Sequence, residues 1–196
     1  MHFPVTVCEI DRWTRDAGDF FGPSIRLSEV KVIPSRFVFG PAGTGWTCNN
    51  VVRFKRPIRP EDFPEEATLI HELTHVWEHQ TGQAQLLKGL TEQIGKLLGR
   101  DPYDFGGPNG VHARRELTDF TKEAQAQIVM ELWRSEHGAT TDTRGIPFTT
   151  PGYRDDLQRL VRGAGIGTIS PRRRSVIGSI DHLVAELVNG LLSLAD

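Results

Sequence analysis

From about Phe63 to about Gln80 the chain repeats apolar residues with the period of an α-helix, and two histidines one turn apart sit inside that repeat. Ile70, Leu73, Val76 and Trp77 fall at the spacing of a buried stripe, and Thr81-Gly82 supplies the stop. Upstream, Arg59-Pro60-Glu61-Asp62 reads as an entry loop in which Asp62 caps the helix and Glu65 completes a capping-box pattern.

Within this helix stands His71-Glu72-Leu73-Thr74-His75. Residues four apart share a helix face, so two imidazoles can converge on one ion, and zinc suits such donors. Glu72, beside them, is the residue to take a proton from water activated at the ion. The pattern carries weight because it falls on a predicted helix, as the metal reading requires. The bland alternative is a pair of histidines on the edge of an amphipathic helix. His79 extends the same face, but at about 1.5 Å per residue it lies about 12 Å along the axis from His71, so one ion cannot hold all three.

A third protein ligand must come from elsewhere. The metzincin continuation needs Gly at position 78 and His at 81, where this chain has Glu78 and Thr81. Glu92, Glu116 and Glu123 are eligible carboxylates, with Asp104 and His112 as loop candidates, and spacing alone does not choose among them.

The rest of the chain fits a single domain of 196 residues, its apolar fraction of 38% being enough for a sizeable core. A formal charge of −2 gives no footprint for a nucleic-acid backbone. The one dense basic run, Arg172-Arg173-Arg174, reads as a solvated flank. Cys8 and Cys48 are too few for a disulfide framework and are expected to be ordinary thiols. The N-terminus lacks a basic start followed by an apolar run, and no stretch is long enough to span a bilayer. The expectation is a cytoplasmic protein, or one exported by a dedicated secretion machine, with no membrane or nucleic-acid partner.

Between Phe20 and Lys55, Val30-Lys31-Val32-Ile33 and Val51-Val52-Arg53-Phe54-Lys55 alternate as strands do, and two or three short strands are expected. Gly40-Pro41-Ala42-Gly43-Thr44-Gly45 reads as a turn between two of them. After the motif helix come a helix over about 83–98, a Gly/Pro/Asn-rich loop through Gly110, and a third helix over about 115–136. That helix turns Leu117, Phe120, Ala124, Ile128 and Leu132 inward. The final third opens turn-rich, including Gly163 to Gly167, and closes on an amphipathic helix carrying Ile177, Ile180, Leu183, Val184, Leu187 and Leu191. The fold class is α+β: a small N-terminal sheet followed by helices that carry the site.

The string Leu69-Ile70-His71-Glu72-Leu73-Thr74-His75-Val76-Trp77-Glu78 resembles the helix of bacterial zincin-like domains found in Vgr-related and Rhs-associated proteins and in the core proteins of extracellular contractile injection systems. Phe21-Gly22-Pro23-Ser24-Ile25 followed by Val30-Lys31-Val32 is similar to that family's early strand region. Phe120-Thr121-Lys122-Glu123-Ala124-Gln125-Ala126-Gln127-Ile128-Val129 is similar to its downstream helix, although Ala124 stands where the family usually has Gln. The likeness covers about 18–135, leaving 136–196 as a helical C-terminal extension.

By position the resemblance implies Glu123 as third ligand: one zinc per chain on His71, His75, Glu123 and a water, a gluzincin-like metallopeptidase with Glu72 as base. Tyr103 and His112 are the candidates to steady an oxyanion. A peptide or protein substrate and a secretion-system or toxin/immunity partner are implied with it. The competing reading is a catalytically idle, zinc-stabilised docking domain of a secretion-associated assembly.

Overall fold

The structure, a computed structural model, describes residues 16–35, 45–55, 63–83 and 101–167. Asp62, Glu92, Cys8, the helix expected beyond Gln83, the Arg172 run and the C-terminal amphipathic helix lie outside them.

The fold is α+β, with one three-stranded sheet and several helices. A helical segment, α1 (16–21), and two single 3₁₀ turns lead into β1 (Lys31–Pro34). Strands β2 (Gly45–Cys48) and β3 (Val51–Phe54) pair antiparallel, Cys48 opposite Val51. Only Asn49 and Asn50 separate them, and Asn49 takes a φ of 54°. A two-residue hairpin demands that left-handed backbone, which asparagine tolerates better than most residues. Strand β1 joins β3 in parallel, Lys31 opposite Val51, so the order is β1-β3-β2 and β2 is an edge of the sheet.

The motif helix α2 spans Phe63–Gln80, the range its periodicity predicts. Ile70, Leu73, Val76 and Trp77 are all buried, as expected, but so are Ala67, Leu69, Thr74 and Glu78. Among its described side chains only the face of Thr68, His75 and His79 and the terminal Glu66 and Gln80 are half-buried, so the helix is a core element rather than a surface one. Strands β2 and β3 cover one side of α2, and α4 (Lys122–Glu136) packs along another in the most extensive contact between elements.

The C-terminal half departs from expectation in three places. The segment read as a loop through Gly110 contains a short helix, α3 (Gly107–Ala113), which Pro108 starts from within its first turn, where proline's missing N–H costs nothing. The helix expected over 115–136 is divided. Leu117–Asp119 forms a 3₁₀ turn closed by a Glu116/Asp119 capping box, and Thr121 then starts α4, its hydroxyl accepting from the N–H of Ala124. Leu117, Ala124, Ile128 and Leu132 are nonetheless buried. Finally, the turn-rich final third contains α5 (Tyr153–Gly163), whose Tyr153, Leu157, Leu160 and Val161 pack inward against α3 and α4.

A polar knot fixes the connection between α4 and α5. The buried Asp142 carboxylate accepts from the N–H of Ile146 at 2.8 Å, the N–H of Arg144 at 2.9 Å and the Tyr153 hydroxyl at 2.8 Å. Nearby, the buried Glu131 Oε1 accepts from Thr143 Oγ1 at 2.6 Å, the N–H of Thr143 at 3.0 Å and Gln127 Nε2 at 2.8 Å. These bonds offset the cost of burying the two carboxylates, and Glu131 Oε2 faces Arg134 Nε at 3.3 Å.

Candidate metal centre

Helix α2 presents His71 and His75 one turn apart, their rings edge to face with centroids 5.1 Å apart. Helix α4 brings Glu123, second residue of its first turn, against both. Glu123 Oε2 lies 3.2 Å from His71 Nε2 and 3.5 Å from His75 Nε2. One donor atom from each of the three residues falls within 4.8 Å of the others, so the cluster could hold a metal ion.

Two imidazoles and a carboxylate are donors that zinc accepts. A tetrahedral zinc with bonds of about 2.0–2.2 Å keeps its donors about 3.3–3.6 Å apart, close to the two separations that Glu123 makes with the histidines. Burial would push the His75 pKa down, but its bonds to Glu123 and Glu78 outweigh it and hold the ring well above the usual range. Burial would likewise push Glu123 up, yet the hydrogen bonds to His71 and then His75 hold its carboxyl far below the usual range. Each direction records the same fact: a carboxylate and imidazoles are pressed together where a cation would satisfy all of them.

Around this cluster stand residues that the motif did not announce. Glu78, fully buried, receives His75 Nδ1 at 3.0 Å, which leaves Nε2 for the cluster. Lys122, at 5% exposure, sets its ammonium 3.6 Å from Glu78 Oε1. Glu72 is buried and lies against the edge strand. Thr47 donates to its Oε2 at 2.6 Å, and Gly45 leaves so little room that a Cβ there would stand 2.5 Å from Glu72 Cγ. The i, i+3 spacing of His75 and Glu78 was open to inspection in the sequence. The contacts of Thr47 and Lys122 join distant segments and had no local signal.

The other expected site residues separate. Tyr103, 41% exposed, sits with its ring 5.9 Å from that of His71, at the mouth of the cluster. His112 is not gathered there; its Nδ1 lies 3.0 Å from Asp156 of α5, and its side chain is largely exposed. Asp104 accepts from the N–H of Gly106 and pairs with Arg144, while Glu116 is occupied in the capping box. Cys48 is buried.

The fold has a solved counterpart. The effector domain of Pseudomonas aeruginosa VgrG2b superposes with a TM-score of 0.56 over 85% of this chain and 84% of that one, at 24% sequence identity, which establishes likeness of fold. In sequence, the chain is similar to the type VI secretion system spike protein VgrG2b of Pseudomonas aeruginosa, being 35% identical over 80 residues. That stretch is 40% of this chain and 8% of the spike protein's length. No protein-family model matches the chain. No helix among the described residues is long and apolar enough to cross a membrane.

Proposed function

We propose that this chain is a zincin-like, zinc-dependent peptide hydrolase associated with type VI secretion, acting as an effector domain on a peptide or protein substrate. The observation that carries the reading is the pairing of a three-donor cluster with a buried carboxylate, Glu72, that is no part of it. A structural zinc needs four protein donors and no base, whereas a catalytic one takes three and leaves a position open. Among the described residues the cluster offers three. The likeness of fold to the VgrG2b effector domain, with 35% identity over 80 residues to the VgrG2b spike protein, supports the secretion setting.

In this reading His71, His75 and Glu123 would hold the zinc, which when bound would supply Lewis acidity toward water and the scissile carbonyl. Glu72 accepts the proton of the attacking water and returns it to the leaving amine. Thr47 and Gly45 hold Glu72 in place for that transfer. Tyr103, exposed and with its ring 5.9 Å from that of His71, would donate to the carbonyl oxygen as charge develops on it.

Hydrolysis of fluorescein-labelled casein by the zinc-loaded protein, beside Glu72→Gln, tests the proposal. Cleavage by the wild type, reduced about 10²- to 10⁴-fold in Glu72→Gln with zinc content unchanged, is expected for loss of a general base. Equal activity in both proteins would overturn the role of Glu72, and a wild type that binds zinc but cleaves nothing would favour the idle docking domain.

A further inference from the structure

We propose that Lys122 is a positioning residue for the metal centre, acting through Glu78 to set both the orientation of His75 and the register of α4 on α2. The inference rests on the zinc reading and adds to it a residue that touches neither the ion nor the substrate.

Three observations carry it. Glu78 is fully buried and divides its carboxylate between two tasks: Oε2 lies 3.0 Å from His75 Nδ1, and Oε1 lies 3.6 Å from Lys122 Nζ. Oε1 accepts no hydrogen bond among the described residues, so the ammonium is what faces it. Lys122 is itself buried at 5% exposure and also donates to Gln83 Oε1, while the N–H of Gln83 donates to the Glu78 carbonyl at 2.8 Å. The first residue of α4 is thus tied both to the last turn of α2 and to Gln83 just beyond it.

The position of Lys122 gives these ties their consequence. Its neighbour in sequence is Glu123, the single ligand supplied by α4. Whatever fixes residue 122 against α2 fixes residue 123 against His71 and His75. The start of α4 is further held by Thr121, whose hydroxyl donates to the Pro102 carbonyl at 3.0 Å. Two charges buried this completely stabilise the protein only when each keeps its partner. Removing the ammonium leaves Glu78 with a poorly compensated charge in the interior, and its grip on His75 Nδ1 changes with it. Partners behind a ligating histidine commonly govern metal affinity about 10- to 100-fold.

Zinc affinity, measured by competition with a chromophoric chelator, tests the inference on the full chain of the wild type, Lys122→Met, and the exchanged pair Glu78→Lys/Lys122→Glu. Helical circular dichroism and thermal unfolding monitor the fold of each. The expected result is a folded Lys122→Met whose zinc affinity is about 10- to 100-fold weaker, with a shifted visible spectrum of the cobalt-loaded form. The exchanged pair restores opposite charges and recovers stability, but an ammonium at position 78 cannot accept from His75 Nδ1, so its affinity stays weak. Should Lys122→Met fail to fold, Lys122→Gln, which keeps a donor but not the charge and leaves Glu78 in place, decides on the same readout. A variant that loses thermal stability yet binds zinc as the wild type does would show a purely structural pair and overturn the inference alone. A wild type that binds no zinc would overturn the metal reading and the inference with it.

Discussion

Thr47, on the edge strand β2, donates its hydroxyl to Glu72 Oε2 at 2.6 Å, and the same oxygen lies 3.2 Å from the Glu72 carbonyl. The sheet therefore holds the candidate base from the side opposite the helix that carries it. A hydrogen bond to a charged group is worth about 1.5–3 kcal/mol, or roughly 10- to 100-fold in a rate that depends on it. Thr47→Val should lower casein hydrolysis by that factor with zinc content unchanged, and Thr47→Ser should restore most of it. Wild-type rates in Thr47→Val would show that Glu72 needs no such support.

Tyr103 and His112 emerge from the sequence as equivalent candidates for steadying the oxyanion, and the structure separates them. The Tyr103 ring stands 5.9 Å from that of His71, whereas His112 is engaged with Asp156. Tyr103→Phe should reduce turnover about 10²-fold without loss of zinc, the usual effect of removing one oxyanion donor. His112→Ala should leave turnover near that of the wild type. Initial rates on labelled casein distinguish the two, and the reverse ranking would move the assignment to His112.

Acid sensitivity has a definite source in Asp142. Burial pushes its carboxyl up, but the N–H of Ile146, the Tyr153 hydroxyl and Arg144 together outweigh it and hold the pKa below the usual range. A depressed folded-state pKa contributes stability that is complete above the unfolded value of about 3.9 and is lost as pH falls through the folded value. Asp142→Ala should therefore cost on the order of 3 kcal/mol at pH 7, by orphaning buried donors. Denaturant unfolding at pH 7 and again below pH 4 should show the two proteins converging in acid. A gap that stays constant with pH would rule out an ionised Asp142.

Helix α2 was legible to the residue because its apolar spacing, its stop and its histidine spacing all lie within one segment, although its burial extends well beyond the predicted stripe. Strands β1 and β3 were legible by their alternation, but β2 was not: Gly45, read as part of a turn, is its first residue, and the hairpin at Asn49 needs an uncommon backbone that neither propensity nor alternation encodes. Helix α3 hid inside a Gly107-Pro108-Asn109-Gly110 sequence that reads locally as a loop, and only its packing on α5 makes it a helix. Helix α5 did carry a signal, with Tyr153, Leu157, Leu160 and Val161 at helical spacing, but the surrounding turn residues masked it. The site divides along the same line. His71, Glu72 and His75 come from local spacing, and Glu123 from a likeness to other helices. Glu78, Lys122 and Thr47 depend on contacts between segments, which one-dimensional spacing does not record.

Metal content is the most direct test of the central claim that His71, His75 and Glu123 form one zinc site. Elemental analysis of untagged, zinc-reconstituted protein should find about one zinc per chain in the wild type and a markedly reduced content in Glu123→Ala, whose fold is confirmed by circular dichroism. Zinc retained in full by Glu123→Ala, or none bound by the folded wild type, would contradict it.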